Sequence, residues 1–269
     1  MSEYYRPDVF NLRGREEEWK VAQELFSQID HLYQSYARIH PLPEPDTLLY
    51  ELNTRYNDGA FPSNYLYIST HCFVENLKLL QDMMTQSRRG EKAFSPYSVG
   101  PIARAALVAA CRVVFVLLAE DIESNLDKIH VNNADGWHRF TRDSSKFTAM
   151  QGLKFPHEVA KKPVGRAKIS ETSMCEEAFT YVMRAVGTRY PDYAQDDTLD
   201  EMLVWLWQGW SGYTHSLSWP INLPSPSPDL GVTHMPGVWV ADFRTLVAVC
   251  EIAFEVYRQA LTQKTIDFH

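Results

Sequence analysis

Two arginines are the residues in this sequence that most call for a chemical explanation. Arg104 and Arg112 interrupt Ile102–Ala119, the longest apolar stretch of the 269-residue chain. Eight positions apart on a helix, they occupy neighbouring stripes rather than the same one. A buried guanidinium must be paired and hydrogen-bonded, and Glu75, Glu120, Asp121 or an acidic ligand could serve. Arg104, near the start of the stretch, is the candidate site residue. Arg112 reads as half of an internal ion pair, or as a side chain reaching along the helix to water.

The segment Trp210-Ser211-Gly212-Tyr213-Thr214-His215 adds hydroxyls and an imidazole to an aromatic-rich helix. Ser211 and His215 are four apart and so face one side. His215 could move a proton near neutral pH or contact a ligand. No third group that would orient a Ser–His nucleophilic pair is evident. An arginine that holds phosphate beside a histidine that handles protons gives Arg104 and His215 as the candidate catalytic pair. His71, Ser211 and Tyr213 are the candidate ligand-binding residues.

Two pairs have metal-ligand spacing, His71 with Glu75 and Asp127 with His130. A di-metal carboxylate bundle wants Glu-x-x-His twice and two further glutamates. The single Asp-x-x-His falls short of that, so neither a metal nor a cofactor is expected. Glycine-rich phosphate loops, H-E-x-x-H and G-x-S-x-G are missing from the sequence.

The elements that must position these residues read as helices. Trp19, Ala22, Phe26, Ile29, Tyr33 and Tyr36 step by three and four, which predicts a first helix from Glu16 to about His40. A short helical turn is expected at Leu48–Leu52. A second long helix should follow Pro62, with Ser63 as its cap, and end near Arg89-Gly90. A third should begin at about Pro101 and run to Leu118; apolar nearly all round, it is the expected centre of the bundle. Residues 119–150 keep helical spacing, and Asn132-Asn133 and Asp135-Gly136 suggest a break into two pieces. Further helices are expected over Glu171–Tyr190, Asp196–Ser218 and Val238–Leu261. Residues 1–14, 151–170 and 219–237 read as irregular, the last because Pro220, Pro224, Pro226, Pro228 and Pro236 exclude a helix. The expectation is a single all-α domain over residues 1–269, a bundle of about seven helices.

Composition agrees with a globular chain: 45% hydrophobic, 22% charged, net charge −8. That balance argues against a generic nucleic-acid coat, though not against a local basic pocket. Cys72, Cys111, Cys175 and Cys250 are scattered, which suits reduced thiols rather than disulfides or a zinc knuckle. With a first segment that lacks the apolar core of a signal peptide, the expected location is the cytoplasm. Arg104 and Arg112 weigh against reading Ile102–Ala119 as a membrane span.

Three motifs carry a resemblance: Thr70-His71-Cys72 leading a helix to Leu80, Arg104-Ala105-Ala106-Leu107, and Ser211-Gly212-Tyr213-Thr214-His215. In order and approximate spacing, over about 150 residues, the chain resembles a group of uncharacterised, actinobacterial-type helical proteins that are similar to HEPN domains. Some HEPN proteins are RNA-cleaving toxins or defence proteins. The sequence departs from them in two places. Val108 stands where the pattern usually has Glu, and no arginine is followed, after four to six intervening residues, by a histidine on the same helix. The first functional expectation is therefore a binding or interaction module with a polar pocket around Arg104 and His215. The alternative is an RNA-cleaving or nucleotide-acting protein. A second copy of the chain and RNA or a nucleotide are the expected partners, with no membrane.

Overall fold

The computed structural model describes residues 12, 14–56, 61–92, 94–144, 146, 168–189, 199–215 and 240–267. These form eight helices and no strand: α1 (Glu16–Tyr36), α2 (Leu48–Arg55), α3 (Phe61–Arg89), α4 (Pro96–Leu117), α5 (Ile122–Ser144), α6 (Glu171–Arg189), α7 (Leu199–Thr214) and α8 (Val240–Thr262). The all-α bundle expected from the periodicity is present. The eighth helix is α2, longer than the turn anticipated there. Of the irregular segments expected at 151–170, 219–237 and 1–14, residues 168–170 are described and are not helical, while 151–167, all of 219–237 and nearly all of 1–14 lie outside the described residues.

Helix α4 is the axis. Val99, Ala103, Val113, Phe115 and Val116 lie at 1% exposure or less, and the run Ala106–Cys111 is buried throughout. Apolar on every side, α4 can only be satisfied by partners all round, and α3, α5, α6, α7 and α8 pack against it. Tyr97–Leu117 is long and apolar enough to cross a membrane by composition, and 72% of its most apolar window is buried inside the bundle. One hydrophobic core draws on all eight helices.

Three of the departures from the sequence expectation have a local reason. Helix α4 starts at Pro96, not Pro101. The Ser95 hydroxyl accepts the Tyr97 N–H at 3.2 Å, and Pro96 occupies the first turn, where its missing N–H costs nothing. Pro101 therefore sits inside the helix. Helix α3 starts at Phe61, and Ser63 is not its cap. Ser63 instead exchanges bonds with Asn53 of α2, whose Oδ1 accepts the Ser63 N–H at 3.1 Å while its Nδ2 donates to Ser63 Oγ at 2.7 Å. Finally, α5 runs unbroken through Asn132-Asn133 and Gly136. Asn132 donates to the Ile169 carbonyl at 2.7 Å, so its side chain bonds the chain before α6 rather than its own backbone, the competition that would have weakened the helix.

Candidate functional site

Arg104 is held between two other helices. Its Nε donates to Ser211 Oγ of α7 at 2.9 Å, and its Nη2 donates to Glu171 Oε1 at the start of α6. The Arg104 side chain is 19% exposed and that of Glu171 37%. The bond pair ties α4, α6 and α7 together with one guanidinium. A carboxylate in the first turn of α6 is also favoured by the helix macrodipole, so Glu171 serves two partners. None of the acidic residues weighed from the sequence fills this role. Glu120 pairs with Arg184 at 3.2 Å, and the Asp121 carboxylate accepts the Ser124 N–H at 2.9 Å. Glu171 opens its helix like many N-terminal glutamates, and nothing in its spacing marks it as the partner of an arginine 67 positions earlier.

The other candidate residues divide. Ser211 joins Arg104. His215 lies one turn further along, exposed at the end of α7, and its backbone N–H donates to the Ser211 carbonyl at 3.0 Å. Among the described residues no bond links its ring to Arg104. Tyr213 lies in α7, but its side chain is outside the described residues. His71 belongs to a different neighbourhood: its Nδ1 lies 3.2 Å from the Tyr36 hydroxyl, and its ring stacks on Tyr67 at 6.3 Å between centroids. Burial and a hydrogen bond with Tyr67 push the Tyr36 hydroxyl well above the ordinary tyrosine range.

Of the two pairs with metal-ligand spacing, Asp127 accepts the Tyr56 hydroxyl at 2.6 Å, and His130 meets the Tyr56 ring edge-on. Among the described residues no group of three His, Cys, Asp or Glu side chains is placed to hold a metal.

Glu171 also lines a cavity. A space of about 630 Å³ opens between four helices. Helix α3 contributes Tyr65, α4 contributes Arg112, and α6 contributes Glu171 and Met174. Along α5 the wall is Ile129, Asn132, Asn133 and Gly136. Arg112 is half-buried there. Among the described residues it makes neither a hydrogen bond nor an ion pair, so the internal pair expected for it is not found; Arg104 has that arrangement instead. Burial pushes the Tyr65 phenol up to about 12, against the pull of the Arg112 charge and a hydrogen bond from Ser69. Tyr65 thus stays neutral at physiological pH. A Cβ built on Gly136 would meet no atom within 4 Å, which makes that stretch of wall open.

The four helices therefore define a mainly apolar cavity, set with a few polar groups, in an all-α bundle. Comparison with protein families, with curated proteins and with solved structures returned no match.

Proposed function

We propose that the chain is a small-molecule-binding helical protein whose ligand enters the cavity between α3, α4, α5 and α6. The observation that carries the reading is the composition of that wall: a guanidinium, a phenol, two amides and a carboxylate converge on a space of about 630 Å³. That size is typical of small-molecule sites, which combine apolar lining with a few placed polar groups. Ile129 and Met174, both buried, supply the apolar part. The Arg104–Glu171–Ser211 connection makes the wall rigid and couples α6 and α7 to it. Four free cysteines are in keeping with a reducing, cytoplasmic setting.

The RNA-cleaving alternative has less support. Arg104, which would hold phosphate, is engaged by Glu171 and Ser211, and His215 is a full turn beyond the contact. The test of the binding reading is obstruction. Gly136→Phe should abolish the thermal shift that any cavity ligand produces, with the helical circular dichroism unchanged. If every binding compound found by thermal shift binds this variant as well as the parent, the cavity is not the site. Cleavage of single-stranded RNA by the parent protein, lost in His215→Ala, would favour the alternative.

A further inference from the structure

We propose that Arg112 is the anion anchor of this cavity and that the ligand is a small organic carboxylate carrying one negative charge. The inference rests on the cavity being a ligand site, and narrows which ligand it takes. Its first support is a contrast between the two arginines of α4. Arg104 spends its donors on Ser211 and Glu171. Arg112, half-buried eight residues later on the same helix, has none of its donors bonded among the described residues and faces the cavity. A half-buried guanidinium without a partner has lost part of its hydration with nothing in exchange. A ligand oxygen in the cavity would supply the missing bonds.

Charge then selects the ligand. Among the described residues two ionised groups line the space, Arg112 and Glu171. Arg104 pairs with Glu171, which leaves Arg112 as the uncompensated charge of the two. A monoanion balances it. A phosphate monoester, nearly doubly charged at neutral pH, would bring surplus negative charge beside the Glu171 carboxylate. The planar fork of an arginine also matches a carboxylate in two parallel bonds.

The remaining wall fits the rest of such a molecule. Ile129 and Met174 offer an apolar surface, while Asn132 and Asn133 offer amide groups for a polar substituent. Asn132 is already oriented by its bond to the Ile169 carbonyl. An aliphatic or aromatic carboxylate with a second polar group is the class described by this lining.

The experiment compares charge at constant shape. 4-Hydroxybenzoate and N-acetyl-leucine, their neutral amides, and AMP as a dianionic probe are titrated against the whole chain by calorimetry. The protein is used as parent, Arg112→Gln, Arg112→Lys and Gly136→Phe. The carboxylates should bind the parent at least tenfold more tightly than their amides or AMP. Arg112→Gln should erase that preference, Arg112→Lys should keep part of it, and Gly136→Phe should block all binding. Should Arg112→Gln not fold, the carboxylate–amide comparison on the parent decides alone. Equal binding of carboxylates and amides, unchanged carboxylate binding by folded Arg112→Gln, or a preference for AMP would overturn the inference. If the amides bind and Gly136→Phe blocks them, the cavity reading survives that failure. Binding of none of the probes at millimolar concentration overturns both.

Discussion

Arg104 and Arg112 share a helix, a residue type and an apolar neighbourhood, yet they carry different costs. Replacing Arg104 with alanine removes the bond to Ser211 and leaves Glu171 without its cation. Glu171 is more than a third exposed, so water takes over part of the lost stabilisation, and the pair is discounted accordingly. The expected loss is about 1–3 kcal/mol, below that of a sealed ion pair. Arg112→Gln breaks no bond among the described residues and should change stability by less than about 1 kcal/mol. Urea unfolding of the two variants measures the difference, and equal losses would contradict the pairing described. The sequence singled out both arginines because charge inside an apolar run is conspicuous. Which one was paired was not legible, since the partner comes from a helix 67 positions away and only packing decides it. Ser211 was legible as a polar member of an aromatic helix; its bond to Arg104 depends on the docking of α7 against α4.

At the scale of the element, one substitution should have opposite signs at two glycines. Helix α3 ends in a turn closed by Gly90, at φ 71°, whose N–H donates to Ser87, while Glu91 N–H reaches back to Gln86, both at 3.1 Å. This is the Schellman pattern, and it needs a left-handed residue. Gly90→Ala should cost about 1 kcal/mol. Gly136 is in the interior of α5, where glycine only loosens the helix, and a Cβ there meets nothing. Gly136→Ala should stabilise by about 0.5–1 kcal/mol. Thermal melts of the two variants should move in opposite directions, and a lower melting temperature for Gly136→Ala would argue against the continuous α5. The periodic apolar stripes made the seven long helices legible, while α2 was read only as a short turn. Their ends were less so, because Ser95, Asn53 and the Asn132–Ile169 bond act through contacts that periodicity does not register. Proline and asparagine are signals about isolated chain, and a packed bundle can override them at Pro101 and Asn132.

Over the whole molecule, phenols wholly or partly withdrawn from water make the fold sensitive to alkali. Tyr36 of α1, Tyr65 of α3, Tyr181 of α6 and Tyr257 of α8 all titrate above the ordinary range, burial being the first cause in each. Tyr65 and Tyr181 are pushed up to about 12 from 10.0. At Tyr181 the neighbouring Glu177 carboxylate, which accepts the hydroxyl at 2.6 Å, adds to the rise. Tyr257 is fully buried, and among the described residues its hydroxyl has no hydrogen-bond partner, so ionising it in place would strand a charge. The sign follows from proton linkage. Below pH 10 both folded and unfolded states hold these protons, and stability is unaffected. Above pH 10 the unfolded chain releases them first, so it binds fewer protons than the folded chain and stability falls with rising pH. For Tyr65 and Tyr181 that loss extends until about pH 12. Phenolate absorbance should therefore still be rising well above pH 10, and the part that comes from the fully buried Tyr257 should appear only together with loss of helical circular dichroism. Tyr257→Phe removes one of these groups without breaking a bond. It should leave neutral-pH stability nearly unchanged or slightly raised and shift the alkaline transition upward. A single smooth phenolate titration, complete while the helix signal is intact, would contradict the burial on which the core of this bundle is built.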